Sequence, residues 1–199
     1  MSTTLKITKE MILDTAFSIV QTSGIEKVSN REIAKRLNCS IRPIYYQFKN
    51  TKELNDELHK KIENYFYKWL LKNINHDIPK YKQVGINYIK FASCEKELFK
   101  ALFMSASDLT ASDFIKGNSD GYKSILGFIR ESTGSSSDVT PFHTRMWIFA
   151  HGIASLIATN TIHLTDEEIS NLLSSEFQAL MLLEENPDNK WKILPKNIY

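Results

Sequence analysis

Ser29 to Leu54 read SNREIAKRLNCSIRPIYYQFKNTKEL, and the placing of helix starts within this stretch decides the fold. Ser29 followed by Glu32 is a capping box. The serine oxygen takes an amide N–H at a helix start, and the glutamate reaches back to the serine's own amide. The short helix that follows sets Ile33, Ala34 and Leu37 inward, and Asn38 breaks it. Ser40 can cap a second short helix, Ile41 to Phe48, in which Ile44, Tyr45 and Phe48 form the repeating apolar set. Pro43 falls in its first turn, where a missing N–H costs little.

On the N-terminal side, Ile12/Ala16, Leu13/Phe17 and Ala16/Val20 are apolar pairs four residues apart between Thr8 and Ser23. That period predicts a helix with one buried face, capped by Thr8 and closed at Gly24. On the C-terminal side, Asn50-Thr51-Lys52-Glu53 starts a helix running to about Lys72, with Leu54, Leu58, Ile62, Tyr65, Phe66, Trp69 and Leu70 on its stripe. Some 22 residues at 1.5 Å each reach about 33 Å. Past Asn75 the reading gives helices over roughly Tyr81–Ala92, Glu95–Met104, Ala111–Lys116 and Tyr122–Glu131. Thr140, with Pro141 after it, caps a helix to about Thr161, and the Thr165–Glu168 capping box opens another to about Glu185. Seven Gly and five Pro leave little material for turns, so the fold class is all-α.

Charge is uneven. Residues 1–74 hold 13 Lys/Arg against 8 Asp/Glu, and the rest hold 12 against 15. Lys27, Arg31, Lys35, Arg36, Arg42, Lys49 and Lys52 crowd one window with Glu32 as its one acid. Such a patch suits a polyanion, although a solvated helix face would look the same. Cys39 and Cys94 have no disulfide or zinc spacing. The most apolar stretch, Trp147 to Ala158, is interrupted by His151, Gly152 and Ser155, too polar and too short to span a bilayer. With no signal-peptide pattern at Met1–Met11, the expectation is a cytoplasmic protein that does not engage membranes.

Two short helices joined at Asn38-Cys39 and buttressed on either side have helix-turn-helix geometry. In that motif the second helix lies in the major groove and its first turn reaches base edges. The pattern Ser29, Ile33, Ala34, a turn, Ser40, Ile44, Tyr45, Phe48 and Lys52 resembles the DNA-binding domain of the TetR family of bacterial transcriptional regulators, over about residues 8–60. Three positions depart from that pattern: Arg42 stands where Gly or Ala is frequent, Cys39 where Val is, and Thr51 where a lysine is. The resemblance implies that Ser29 caps the second helix and can meet a phosphate, and that Arg31 touches a base or phosphate. It implies that Ser40, Ile41, Arg42 and Pro43 face the groove, with Tyr45, Tyr46, Lys49 and Lys52 holding the backbone. Arg42 is the best base reader, because a guanidinium matches guanine O6 and N7.

The resemblance also sets the domain plan. A helix-turn-helix domain over residues 1–50 continues through a linking helix, 50–74, into a helical ligand-binding and dimerisation domain over 75–199. It implies a homodimer through the last two long helices, which the surplus of apolar residues over Ile169–Leu183 supports. It further implies a small-molecule effector that releases a repressor from a palindromic operator in double-stranded DNA. Pocket candidates are Phe91, Phe99, Phe103, Phe114, Tyr122, Phe128, Trp147 and His151, though aromatics at helical spacing also build ordinary core. A DNA-binding adaptor controlled by a protein partner, with no small-molecule ligand, is the alternative. No cofactor or metal is expected, since His143, His151 and His163 lack acidic or cysteine neighbours at ligand spacing. No nucleophile elbow, phosphate loop or metalloprotease motif is present, so no enzyme is expected.

Overall fold

The computed structural model describes residues 6–74, 77–105 and 120–185, and every regular element among them is helical. The expected helix over Ala111–Lys116, and with it Phe114, lies outside the described residues. Contacts divide the chain into two compact units: Met1–Phe66 with Glu95–Ala106, and Tyr67–Cys94 with Ser107–Tyr199.

The first unit begins with α1, Lys9–Ser23, whose start is capped by the Thr8 hydroxyl accepting the Met11 amide. It ends at Gly24, where φ is 90°, a value that suits glycine alone. A 3-10 turn, Ile25–Lys27, leads to α2, Asn30–Arg36. Ser29 accepts the Glu32 amide as expected, but the reciprocal half of the capping box gives way to an ion pair from Glu32 to Arg36 at 3.1 Å. Asn38 takes φ 50°. Its amide bonds the Lys35 carbonyl and that of Cys39 the Ala34 carbonyl, the closing pattern of a Schellman motif with asparagine in glycine's place. α3, Arg42–Gln47, then starts from Ile41 with no side-chain cap. Ser40 is therefore not its N-cap, because the helix begins a residue later than the hydroxyl could serve.

α4, Thr51–Leu70, opens under Asn50, whose side-chain oxygen accepts the Glu53 amide. Lys61 on α4 lies 2.7 Å from Glu10 and 2.8 Å from Asp14 on α1. Lys9 lies 2.6 Å from Glu57. α6, Lys96–Phe103, packs on α1, and Glu95 before it accepts from the Tyr65 hydroxyl and the Gln21 amide. Ile12, Ile19, Ile33, Ile44, Leu58 and Phe99 are fully buried and make up the core of this unit.

In the second unit, α5, Lys80–Cys94, is central, packed against α7, Asp120–Thr133, α8, Thr140–Ala158, and α9, Asp166–Glu184. Thr140 is the first residue of α8 rather than its cap, with its amide held by Asp138 at 2.9 Å. α9 carries the complete Thr165–Glu168 capping box. Asn87 on α5 is buried and ties down the last turn of α4. Its amide nitrogen donates to the Leu70 and Lys72 carbonyls at 2.9 and 2.8 Å. Its side-chain oxygen accepts from Gln83, and its own carbonyl accepts from the Trp69 indole. Carbonyls at a helix end have no partner within the helix, and here a side chain from another helix supplies one.

Candidate nucleic-acid interface and cavity

In the first unit, burial of Ile44 and Phe48 fixes the roll of α3 and turns its other side to solvent. Tyr46 is 84% exposed, Tyr45 57% and Ile41 40%. Ser40, Arg42 and Lys49 are exposed with them, and Pro43 is half-buried. The half-apolar set around Arg42 is unusual for a surface meant only for water, and it combines a planar cation with phenols able to meet phosphates. Ser29 and Arg31 are exposed at the start of α2. The Ser29 oxygen already accepts an amide, which leaves its O–H to donate outward. Lys52 is exposed in the first turn of α4, 3.4 Å from Asp56. Lys9 lies over the Phe48 ring at 5.1 Å, so the aromatic that anchors α3 is itself held.

In the second unit a cavity of about 310 Å³ opens between α5, α8 and α9. Tyr81, Tyr88, His143, Met146, Trp147 and Phe177 give it an aromatic, largely apolar wall. Two phenol–imidazole pairs cross from α5 to α8. The Tyr81 hydroxyl is 3.0 Å from His143 Nδ1, and that of Tyr88 is 2.8 Å from His151 Nδ1. Burial holds the His143 imidazole down at about 4 and lowers His151 as well, so both rings are neutral at pH 7. Burial pushes the Tyr88 phenol up. Its hydroxyl and His151 Nδ1 share one hydrogen across 2.8 Å, with the donor set by the imidazole tautomer. Trp147 also stacks on His151 at 4.9 Å.

Of the sequence candidates for a pocket, Trp147 lines this cavity and His151 stands directly behind it. Tyr122 is buried beside His143 at 5.8 Å, its phenol raised to about 12 chiefly by burial. Phe91 is buried against Trp69, and Phe128 lies under the Lys80 ammonium. Phe99 and Phe103 do not line the cavity. They pack together in the first unit, 4.9 Å apart. Tyr81, Tyr88, Met146 and Phe177 line it without having been singled out as pocket residues. The available signal was the seven-residue spacing of Tyr81 and Tyr88 against the eight of His143 and His151, which set matching partners on two helices. Among the described residues no three His, Cys, Asp or Glu side chains gather as metal ligands, and no helix is long and apolar enough to cross a membrane.

An exposed, basic helix-turn-helix on an all-helical scaffold defines a DNA-binding regulator of transcription. Residues 12–58 match the family model for bacterial regulatory proteins of the tetR family, a match confined to the helix-turn-helix end of the chain. The fold is shared with solved structures titled as TetR-type regulators. A putative one from Vibrio parahaemolyticus superposes with a TM-score of 0.62 at 15% identity, covering 85% of this chain and 96% of that one. A regulator from Haemophilus influenzae Rd gives 0.61 at 18%, covering 85% and 94%. One from Rhodococcus sp. RHA1 gives 0.61 at 14%, covering 87% and 94%. No curated protein matches the chain by sequence.

Proposed function

We propose that the protein is a cytoplasmic repressor that binds a palindromic operator as a homodimer and is released when a small molecule enters the cavity of its second unit. The cavity carries this reading: a filled core would favour control by a protein partner alone, and about 310 Å³ lies within the range of small-molecule pockets. Arg42 reads a base, while Arg31, Tyr45, Tyr46, Lys49 and Lys52 hold phosphates. Ser29, Ser40, Ile41 and Pro43 complete the contact surface. Dimerisation through α8 and α9 is supported by apolar side chains left in water: Ile148 and Leu156 on α8, Leu172 and Leu182 on α9. Between Ile148 and Leu156, Gly152 has open space where a Cβ would stand, leaving room for a second backbone. By linkage, an effector that prefers the DNA-incompetent form lowers DNA affinity by the factor by which DNA lowers its own.

The test is footprinting of the purified full chain on DNA immediately upstream of its own gene, followed by selection from random sequence, both across a salt series. A protected palindrome whose affinity falls steeply with salt is the expected result. Uniform, sequence-independent binding in both experiments would remove the regulator reading.

A further inference from the structure

On the footing of the effector reading above, the chemistry of the cavity narrows what it takes. Among the described residues no Asp or Glu lines it, and Lys82 is the lysine at its wall. The neighbouring lysines of α5 are spoken for: Lys80 lies 2.9 Å from Glu131 and Lys90 lies 2.6 Å from Asp166. Lys82, half-buried, has no carboxylate partner among the described residues.

Its position follows from the register of α5 on α9. A Cβ on Gly85 would stand 3.1 Å from Leu173, and the Tyr81 and Phe177 rings are 6.4 Å apart. The two helices are therefore antiparallel, and Lys82 comes opposite Glu176, which does not line the cavity, between Ser174 and Gln178, which do. One rim thus offers an ammonium, a hydroxyl and an amide. The interior offers aromatic faces and phenol–imidazole pairs that already satisfy one another. A charge buried among those faces would lose its water without gaining a new partner. At the rim it keeps part of its hydration and gains a charge-assisted hydrogen bond.

We infer that the effector is an amphipathic organic monoanion: a carboxylate seated on Lys82 at the rim between α5 and α9, carried by a compact apolar body lying against Trp147, Met146 and Phe177. At ~30 Å³ for a water-sized group, a cavity of 310 Å³ takes a body of about ten such groups, the scale of a fused pair of aromatic rings. A cation of the same shape finds no counter-charge in the wall.

Calorimetric titration of the full chain with naphthalene-2-carboxylate, its carboxamide and 2-(aminomethyl)naphthalene tests this. The carboxylate is expected to bind about fivefold tighter than the amide, a partly exposed ion pair's worth, with the amine weakest. Lys82→Gln brings the carboxylate level with an unchanged amide, and Lys82→Glu inverts the order towards the amine. An amide that equals the carboxylate in the unaltered protein, an amine that binds best, a preference that survives Lys82→Gln, or failure of all three probes to bind overturns the inference. DNA release measured in parallel separates it from the effector reading. A carboxylate bound with Lys82-dependent preference that leaves the protein on DNA refutes that reading and keeps the site. An amide or amine that binds in preference and releases DNA refutes the anion and keeps the effector.

Discussion

His143 lies on the innermost face of α8, 7% exposed, with its Nδ1 on the Tyr81 hydroxyl, and burial lowers its pKa from 6.5 to about 4. The direction of the consequence is fixed. Above about pH 7.5 neither folded nor unfolded chain protonates this ring appreciably, so its contribution to stability is constant. As pH falls through 6.5 the unfolded chain takes up a proton that the folded chain refuses until about pH 4, and stability is lost across that window. Between pH 7.5 and 5.0 the two titration curves give a loss of about 2 kcal/mol from this residue alone. His143→Gln removes the titration and keeps an amide within reach of the Tyr81 phenol. Urea denaturation of both proteins at the two pH values, at one fixed protein concentration, isolates the effect, because His151 and every carboxylate are common to the pair. The unaltered protein should lose about 1 M more in midpoint than the variant, for a urea slope of about 2 kcal/mol per M. Parallel pH dependence in the two proteins would refute the assignment of a neutral, buried imidazole.

Arg42→Ala should relax preference at one operator position by ~1–3 kcal/mol, the value of a bidentate guanine contact, measured by competition between single-base operator variants. An unchanged preference removes Arg42 as a base reader. Lys52→Ala should weaken binding to every sequence alike and make the salt slope shallower by about one, and a slope equal to that of the unaltered protein takes Lys52 out of the phosphate set. Asn87→Ala strips the Leu70 and Lys72 carbonyls of their buried donor and should cost about 1–3 kcal/mol in chemical denaturation. Asn87→Asp, which turns a carboxylate on the same carbonyls, should cost more, and equal stability of both variants with the parent sinks the proposed tie.

The helix-turn-helix was legible because its signals are local. Ser29, Asn38, Pro43 and Asn50 each act within four residues of themselves, and burial of Ile33, Ile44 and Phe48 follows from their spacing. Two details were not. Whether Glu32 turns back to its cap or forward to Arg36 is a contest between two short-range partners of similar strength. Ser40 lost its cap role because α3 starts from Ile41. The cavity was least legible. Its wall comes from three helices whose mutual register no single stretch records, so aromatic character pointed to Trp147 without separating Tyr81 and Phe177 from ordinary core, and nothing local marked Met146. The same ignorance of register put Phe99 and Phe103 among pocket candidates, although α6 belongs with α1. The domain plan drawn from the sequence was contiguous, and the observed units interleave.

That interleaving bears on how such a protein can be recombined. The chain passes between its two units after Phe66, after Cys94 and after Ala106. A gene fusion that joins this N-terminal segment to a foreign sensor at a single crossover would leave behind α6, and with it Leu98, Phe99 and Leu102, all buried. A working chimera has to carry residues 95–106 with the N-terminal parent, as a graft inside the sensor sequence. The two units are thereby coupled in inheritance: residues around the cavity can change one at a time, whereas exchange of the whole second unit requires three coordinated breakpoints.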